Sequence, residues 1–303
     1  MIERYEHNKL TWLDVINPTY EEIRELTKEC GIPPEFTDDL TAMTPRTETL
    51  SKKGALKITL DFPVVKRTDI DHPHEIKFLV TKKHLITIHF EEIEALHRFG
   101  KEFEVFCMLK QTKANPTAVN MFFTMLSYLY EAMHVKIEYL ESRLKDVEDN
   151  IFNDKEKEMV FEISNIMRRL IDFRQTIGAH EKALEHLNKN VKEAFVGDFM
   201  KNVEDLEHHY RHLNRSVFSL ISTAEDLRDT NNALLTTKQN EVMKMFTILA
   251  FITFPLTLFT SMFGMNTATT PIIGKPGDFW IILGAMGVVS VAFFAYFRYK
   301  KWF

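Results

Sequence analysis

Cysteine is nearly missing from this chain of 303 residues: Cys30 and Cys107 are the only two. Two isolated thiols exclude a disulfide framework and suit a reducing compartment. Basic excess is missing as well. With 43 acidic residues against 38 Lys and Arg, the formal net charge is −5, so nothing points to a nucleic-acid partner. The opening MIERYEHNKL has no apolar core, so no cleavable secretory signal is expected. No GxxxxGK[ST] phosphate loop occurs, and no nucleophile is set beside a base, so neither an enzyme nor an organic cofactor is expected. Proline is absent from Thr117 to Lys244, where Gly178 and Gly197 are the only glycines.

Charge is missing where it matters most. The whole-chain averages, 27% charged and 45% hydrophobic, match a soluble protein, but they hide segregation. Met245 to Phe263 (MFTILAFITFPLTLFTSMF) is uncharged over 19 positions, and so is Phe279 to Phe297 (FWIILGAMGVVSVAFFAYF). A helix needs about 20 apolar residues to cross the hydrocarbon layer. Both runs qualify, and both are apolar all round while the rest of the chain is amphipathic. The expected organisation is therefore an α/β cytosolic domain over 1–115, a helical bundle and stalk over 116–244, and a first transmembrane helix over 245–263. An external loop over 264–278, a second transmembrane helix over 279–297 and a basic tail over 298–303 complete it.

Within the first region, Trp12 to Val15 predicts a short strand, and Asn17-Pro18-Thr19 starts a helix that stops at Gly31. GALKITLDFPVV sets Leu56, Ile58, Leu60 and Phe62 on one strand face. IKFLV and LITIHF predict two strands around the polar turn Thr81 to His84, with helix returning from Glu91. After Asn115-Pro116 the apolar residues fall three and four apart, the pattern of long amphipathic helices. Breaks are expected near 150–154 and 196–198. The last helix then runs from about Phe199 into the first apolar run, some ~100 Å at 1.5 Å per residue, projecting from the cytosolic mass into the membrane.

Arg298, Lys300 and Lys301 follow the second span, and Lys238 and Lys244 precede the first, whereas the loop holds only Lys275 and Asp278. The positive-inside rule then places both termini in the cytosol of a plasma-membrane protein. Two helices cannot enclose an aqueous path, so a pore requires several copies about an axis. Phased on Thr257, a stripe roughly 100° wide takes in Phe254, Ala250, Phe246, Met243, Thr236, Asn232 and Asp229, with Asn240 at its edge. Apolar rings gate by dewetting, and polar or acidic rings attract cations. A packing face with incidental polar positions is the alternative, and the two stand even at this level. Gly264-Met265-Asn266 follows the first span directly. Gly264 ends the helix, and Asn266 offers a neutral amide oxygen to a hydrated ion at the outer mouth. Pro255 invites a bend within the span.

On these residues the chain resembles the CorA-type magnesium channels, the two-transmembrane GMN metal-ion transporters, over essentially its whole length. NEVMKMFTILAFITFPLTLFTSMFGMN is similar to that family's pore helix and motif, and TWLDVINPTYEEIRELTKECGIPP to its N-terminal opening. The resemblance implies a funnel-shaped homopentamer in membrane lipid that selects hydrated Mg²⁺ at Gly264, Met265 and Asn266. It implies a pore lined by Asn240, Met243, Phe246, Phe254 and Thr257, with Asp229 as an acidic pore position, overlapping the helical stripe that adds Ala250. It also implies regulation by intracellular Mg²⁺, with Asp205 at a regulatory position. Phe246 and Phe254 stand where members often carry Leu or Met, Phe263 replaces a commoner Tyr, and the loop lacks a glutamate soon after the motif. Transport of Co²⁺, Ni²⁺ or Zn²⁺ is the related alternative, although zinc-favouring relatives tend to carry Gly-Ile-Asn. A non-conducting sensor or scaffold is the alternative of another class.

Two further clusters carry metal-ligand residue types. His208, His209 and His212 with Glu204 and Glu207 lack a third ligand at site-like spacing and read as a solvated stalk face. Asp69, Asp71, His72 and His74 read as a polar loop. Met121 and Met125 read as ordinary helix packing.

Overall fold

The computed structural model describes residues 1–7, 10–37, 39–44, 47–52, 54–63, 73–108, 117–195, 200–265, 273–274, 276–300 and 302. They fall into two compact units, Met1–Arg228 and Asp229–Phe303.

The first unit is built on a six-stranded mixed sheet. Its strands are β1 (Ile2–His7), β2 (Leu10–Ile16), β3 (Glu48–Lys52), β4 (Ala55–Phe62), β5 (His74–Val80) and β6 (His84–His89). They lie in the order β1-β2-β6-β5-β4-β3. Only β2 and β6 run parallel, and the other neighbours are antiparallel. α1 (Tyr20–Glu29) follows β2 and is nucleated by Thr19, whose hydroxyl accepts from the Glu22 amide while the Glu22 carboxylate accepts from the Thr19 amide at 2.8 Å. Gly31, at φ 65°, takes the left-handed turn that stops it.

Strand alternation sorts side chains between two covered faces. Leu13, Val15, Leu79, Ile86 and Ile88 join Ile23 and Leu26 of α1 in one core. On the other face, Phe78 meets Phe122 of α3 (Ala118–Phe152) at a 5.5 Å ring separation, and Trp12 meets Phe99 of α2 (Glu94–Met108) at 5.6 Å. α3 buries fifteen residues, Met121 and Met125 among them. α4 (Glu156–Gly178) returns after the Asn153-Asp154 turn, where Asp154 has φ 64°. α5 (His180–Ala194) follows after a single-residue break at Ala179.

Four local features add to those expectations or differ from them. β4 is buried on both faces, Lys57 and Thr59 included, because its neighbours and the loop over 39–44 enclose it. There Lys77 donates to the Asp39 and Ala42 carbonyls and pairs with Glu75 at 3.2 Å. β1 and β3 are edge strands with few apolar residues, and they carry no strong periodic signal. His84 opens β6 instead of sitting in the turn. The chain also breaks between α4 and α5, at Gly178-Ala179. The break expected at 196–198 and the boundary at 115/116 lie outside the described residues.

α6 (Met200–Phe263) and α7 (Asp278–Tyr299) complete the fold. Both are long and apolar enough to cross a membrane.

A buried hydrogen-bond chain ties α3 and α5 to the sheet. The His180 Nε2–H donates to the Asp61 carbonyl of β4 at 2.7 Å, and its Nδ1 accepts from the Tyr130 hydroxyl at 2.9 Å. A carbonyl cannot donate, so the neutral Nε2–H tautomer is required. Burial pushes the His180 pKa down to about 4.

Candidate ion-conducting site

α6 is helical without interruption through Pro255. Proline lacks an amide hydrogen, so the Phe251 carbonyl loses its ordinary helical partner there. Within the second unit the helix is exposed over most of its surface. Asp229, Asn240, Met243, Phe246, Ala250, Phe254 and Thr257 are all exposed in the single chain, Phe254 to 76%. Ile248 lies roughly two and a half turns from Thr257, hence on the opposite side, and is 5% exposed. Phe251 meets Phe297 of α7 at 6.2 Å between ring centroids. The seven residues are thus uncovered in this chain, as are Met245, Leu249 and Phe259 on other sides of the helix.

The threonines of α6 turn their hydroxyls back on the helix. Thr247 donates to the Met243 carbonyl at 2.8 Å, Thr253 to Leu249 at 2.9 Å and Thr257 to Thr253 at 2.9 Å. This back-bonding lets hydroxyls sit in an apolar segment without stranding a donor.

At the end of α6, Gly264 still donates to the Thr260 carbonyl at 2.9 Å and does not take a left-handed φ. A Cβ there would stand 3.0 Å from that carbonyl, a tight contact that a small shift of the turn would have to relieve. Met265 is exposed. Asn266 and Lys275 lie outside the described residues. Asp278, the one carboxylate of the loop, accepts from the Gly274 amide at 3.1 Å and the Phe279 amide at 2.7 Å. It stands at the first position of α7, where negative charge is favoured.

The remaining candidates separate. Asp205 is exposed on the part of α6 that belongs to the first unit. His212 stacks obliquely on His134 of α3 at 4.8 Å. Burial, then the neighbouring His212 and His209, lower the His134 pKa. No group of three His, Cys, Asp or Glu side chains able to hold a metal ion occurs among the described residues. Asp69, Asp71 and His72 lie outside them, and His74 stands 2.7 Å from Glu91. Sequence reasoning missed the amide contacts of Asp278 in the first turn of α7 and the contact between Phe297 and Trp302. The acidic residue directly before an apolar run was a usable signal for the first, and the second had none.

The comparisons with known proteins follow from this geometry. The model of the CorA-like Mg²⁺ transporter protein family matches residues 7–301. The cobalt/magnesium transport protein CorA of Methanocaldococcus jannaschii is 23% identical over 320 residues, covering 98% of this chain and 93% of that protein. The protein of the same name from Thermotoga maritima is 26% identical over 182 residues, 60% of this chain and 52% of its own length. In structure, the complete CorA magnesium transporter from M. jannaschii matches with a TM-score of 0.84 at 21% identity, covering 99% of this chain and 93% of that one. The full-length CmaX protein matches with a TM-score of 0.74 at 17% identity, covering 97% and 89%. A family model that spans the sheet, the long helix and both apolar helices shows that this chain belongs to the CorA-like Mg²⁺ transporter family.

Proposed function

We propose that this chain conducts Mg²⁺ across the plasma membrane into the cytosol as a homopentamer. The first apolar segment of α6 lines the path, and α7 packs outside it. The carrying observation is the stripe from Asp229 to Thr257, which this chain leaves exposed on the side of α6 opposite the buried Ile248. Copies arranged about an axis would bring those stripes together. Phe246 and Phe254 would form apolar constrictions that gate by dewetting, and Thr257 and Asn240 polar rings. Gly264, Met265 and Asn266 form the outer mouth, where an amide oxygen meets an ion that releases its water reluctantly. An inward divalent ion gains about 4.6 kcal/mol per 100 mV of inside-negative potential, so no nucleotide is required. Both termini lie in the cytosol, and intracellular Mg²⁺ closes the path, with Asp205 among the residues that sense it. Since relatives are cobalt/magnesium transport proteins, Co²⁺ is the second ion to test.

The test is Mg²⁺ influx into proteoliposomes under an imposed inside-negative potential, comparing the native chain with Asn266→Ala. Influx in the native chain that vanishes in the variant is the expected result. Influx that survives Asn266→Ala, or its absence from a correctly assembled native protein freed of internal Mg²⁺, overturns the reading.

A further inference from the structure

The end of α7 is not a bare helix terminus. The Lys300 amide keeps the helical pattern by donating to the Tyr296 carbonyl, and the Trp302 amide returns to the Phe297 carbonyl five residues earlier, both at 3.0 Å. This return brings the Trp302 indole to 5.6 Å from the Phe297 ring. Phe297, 5% exposed, also contacts Phe251 and Phe293. The result is a walled recess of about 560 Å³ within the second unit. Phe251, Val289, Phe293, Phe297 and Trp302 line it, with Lys300 as its one charged residue. The Lys300 ammonium lies 5.8 Å from the centre of the Tyr296 ring.

We propose that this recess binds one anionic phospholipid, with an acyl chain along the apolar floor and the headgroup phosphate at Lys300. The inference rests on reading α6 and α7 as membrane-spanning. The chemistry matches an amphiphile on both counts. The floor is aromatic and aliphatic, and the rim is cationic. Arg298, Lys300 and Lys301 follow the span, and no acidic residue occurs after Asp278. Tyr296 and Trp302 supply the amphipathic rings that settle at a headgroup boundary. A lysine there runs its stem along the apolar wall and keeps its ammonium among phosphates. An anionic lipid is the occupant that charge complementarity with this cationic rim selects. The folded-back tail separates this site from the smooth flank of a helix, which any acyl chain can wet.

The indoles make the test direct. The chain has three tryptophans, Trp12, Trp280 and Trp302, and Trp12 is fully buried in the first unit. In the full chain carrying Trp280→Phe, quenching by lipids brominated along the acyl chain therefore reports on Trp302. Vesicles of one overall composition are prepared twice, with the bromine on phosphatidylglycerol or on phosphatidylcholine. The expected result is roughly five-fold stronger association of the anionic lipid, the worth of one lysine near an anionic headgroup. Lys300→Gln should abolish that preference, and soluble glycerol phosphate, which has no acyl chain, should not compete. Equal quenching by both lipids, or a preference that survives Lys300→Gln, overturns the proposal. So does the absence of quenching by either lipid, which means that protein covers the recess, and so does competition by glycerol phosphate. Mg²⁺ influx measured on the same vesicles separates the two readings. Selective quenching without influx overturns transport and leaves the lipid site standing, and influx without selectivity does the reverse.

Discussion

Lowering the pH should loosen the first unit through His180. In the folded chain this imidazole is fully buried between the Tyr130 hydroxyl and the Asp61 carbonyl, and burial holds its pKa at about 4. In the unfolded chain it titrates near 6.5. The folded pKa is depressed, so between those values the unfolded chain binds more protons, and stability falls as pH falls through that window. Going from about pH 7 to about pH 5 should cost about 2 kcal/mol, and the full difference approaches about 3 kcal/mol below the folded pKa. For a unit of this size the first figure corresponds to roughly 4–8 °C in the melting temperature. The perturbation that isolates it is His180→Gln, which can still donate to Asp61 and accept from Tyr130 but does not titrate. Thermal unfolding of the full chain in detergent, followed by circular dichroism across that pH range, should show a shallower acid slope in the variant by that amount. Two results refute the reasoning: a slope identical in both proteins, or a His180 ring whose NMR titration midpoint lies near 6.5.

Three further outcomes are expected. His89 points the other way. Burial alone would lower its pKa, but the Asp14 hydrogen bond at 3.1 Å, the Asp14 charge and the Glu91 carbonyl together raise it. Its contribution is therefore present below about pH 6.5 and lost as pH rises through the raised folded value. NMR titration should find His89 shifted upward in the native chain and lowered by Asp14→Asn. Thr19→Ala should remove the α1 cap and cost about 1 kcal/mol, read as a lower melting temperature that Thr19→Ser restores. Phe254→Ser should replace an apolar ring with a polar one and raise Mg²⁺ influx several-fold when intracellular Mg²⁺ is high. Unchanged flux would mean that Phe254 does not face the path.

What could be read from the sequence was what depends on near neighbours. The two apolar runs follow from composition, and the run of α6 through 200–263 from a stretch whose one breaker, Pro255, the helix absorbs. The shared face of Met243, Phe246 and Phe254 follows from helical phase, which is a local property. Edge strands are less visible: β1 and β3 each pair with one neighbour and carry few apolar residues, so their extended form comes from the ladder rather than from a pattern of their own. Lys57 and Thr59 look like the solvent side of an alternating strand until the loop over 39–44 closes over them. The Tyr130, His180 and Asp61 chain joins residues far apart in sequence. The recess at the end of α7 joins Phe251 of α6 to Trp302, which lie far apart in sequence.

The threonines of the first apolar segment carry a last consequence. A hydroxyl has one hydrogen and two lone pairs, and the hydrogens of Thr247, Thr253 and Thr257 are committed to carbonyls one turn earlier. What these groups present away from their own helix is lone pairs alone. Water around a cation turns its oxygen inward, so a hydrated cation shows its surroundings a shell of hydrogens, and water around an anion shows the reverse. In the proposed conduit, a wall at Thr257 that accepts and cannot donate would receive the first shell and refuse the second. Ions would be sorted by sign through the orientation of their own water, with no charged side chain placed inside the membrane.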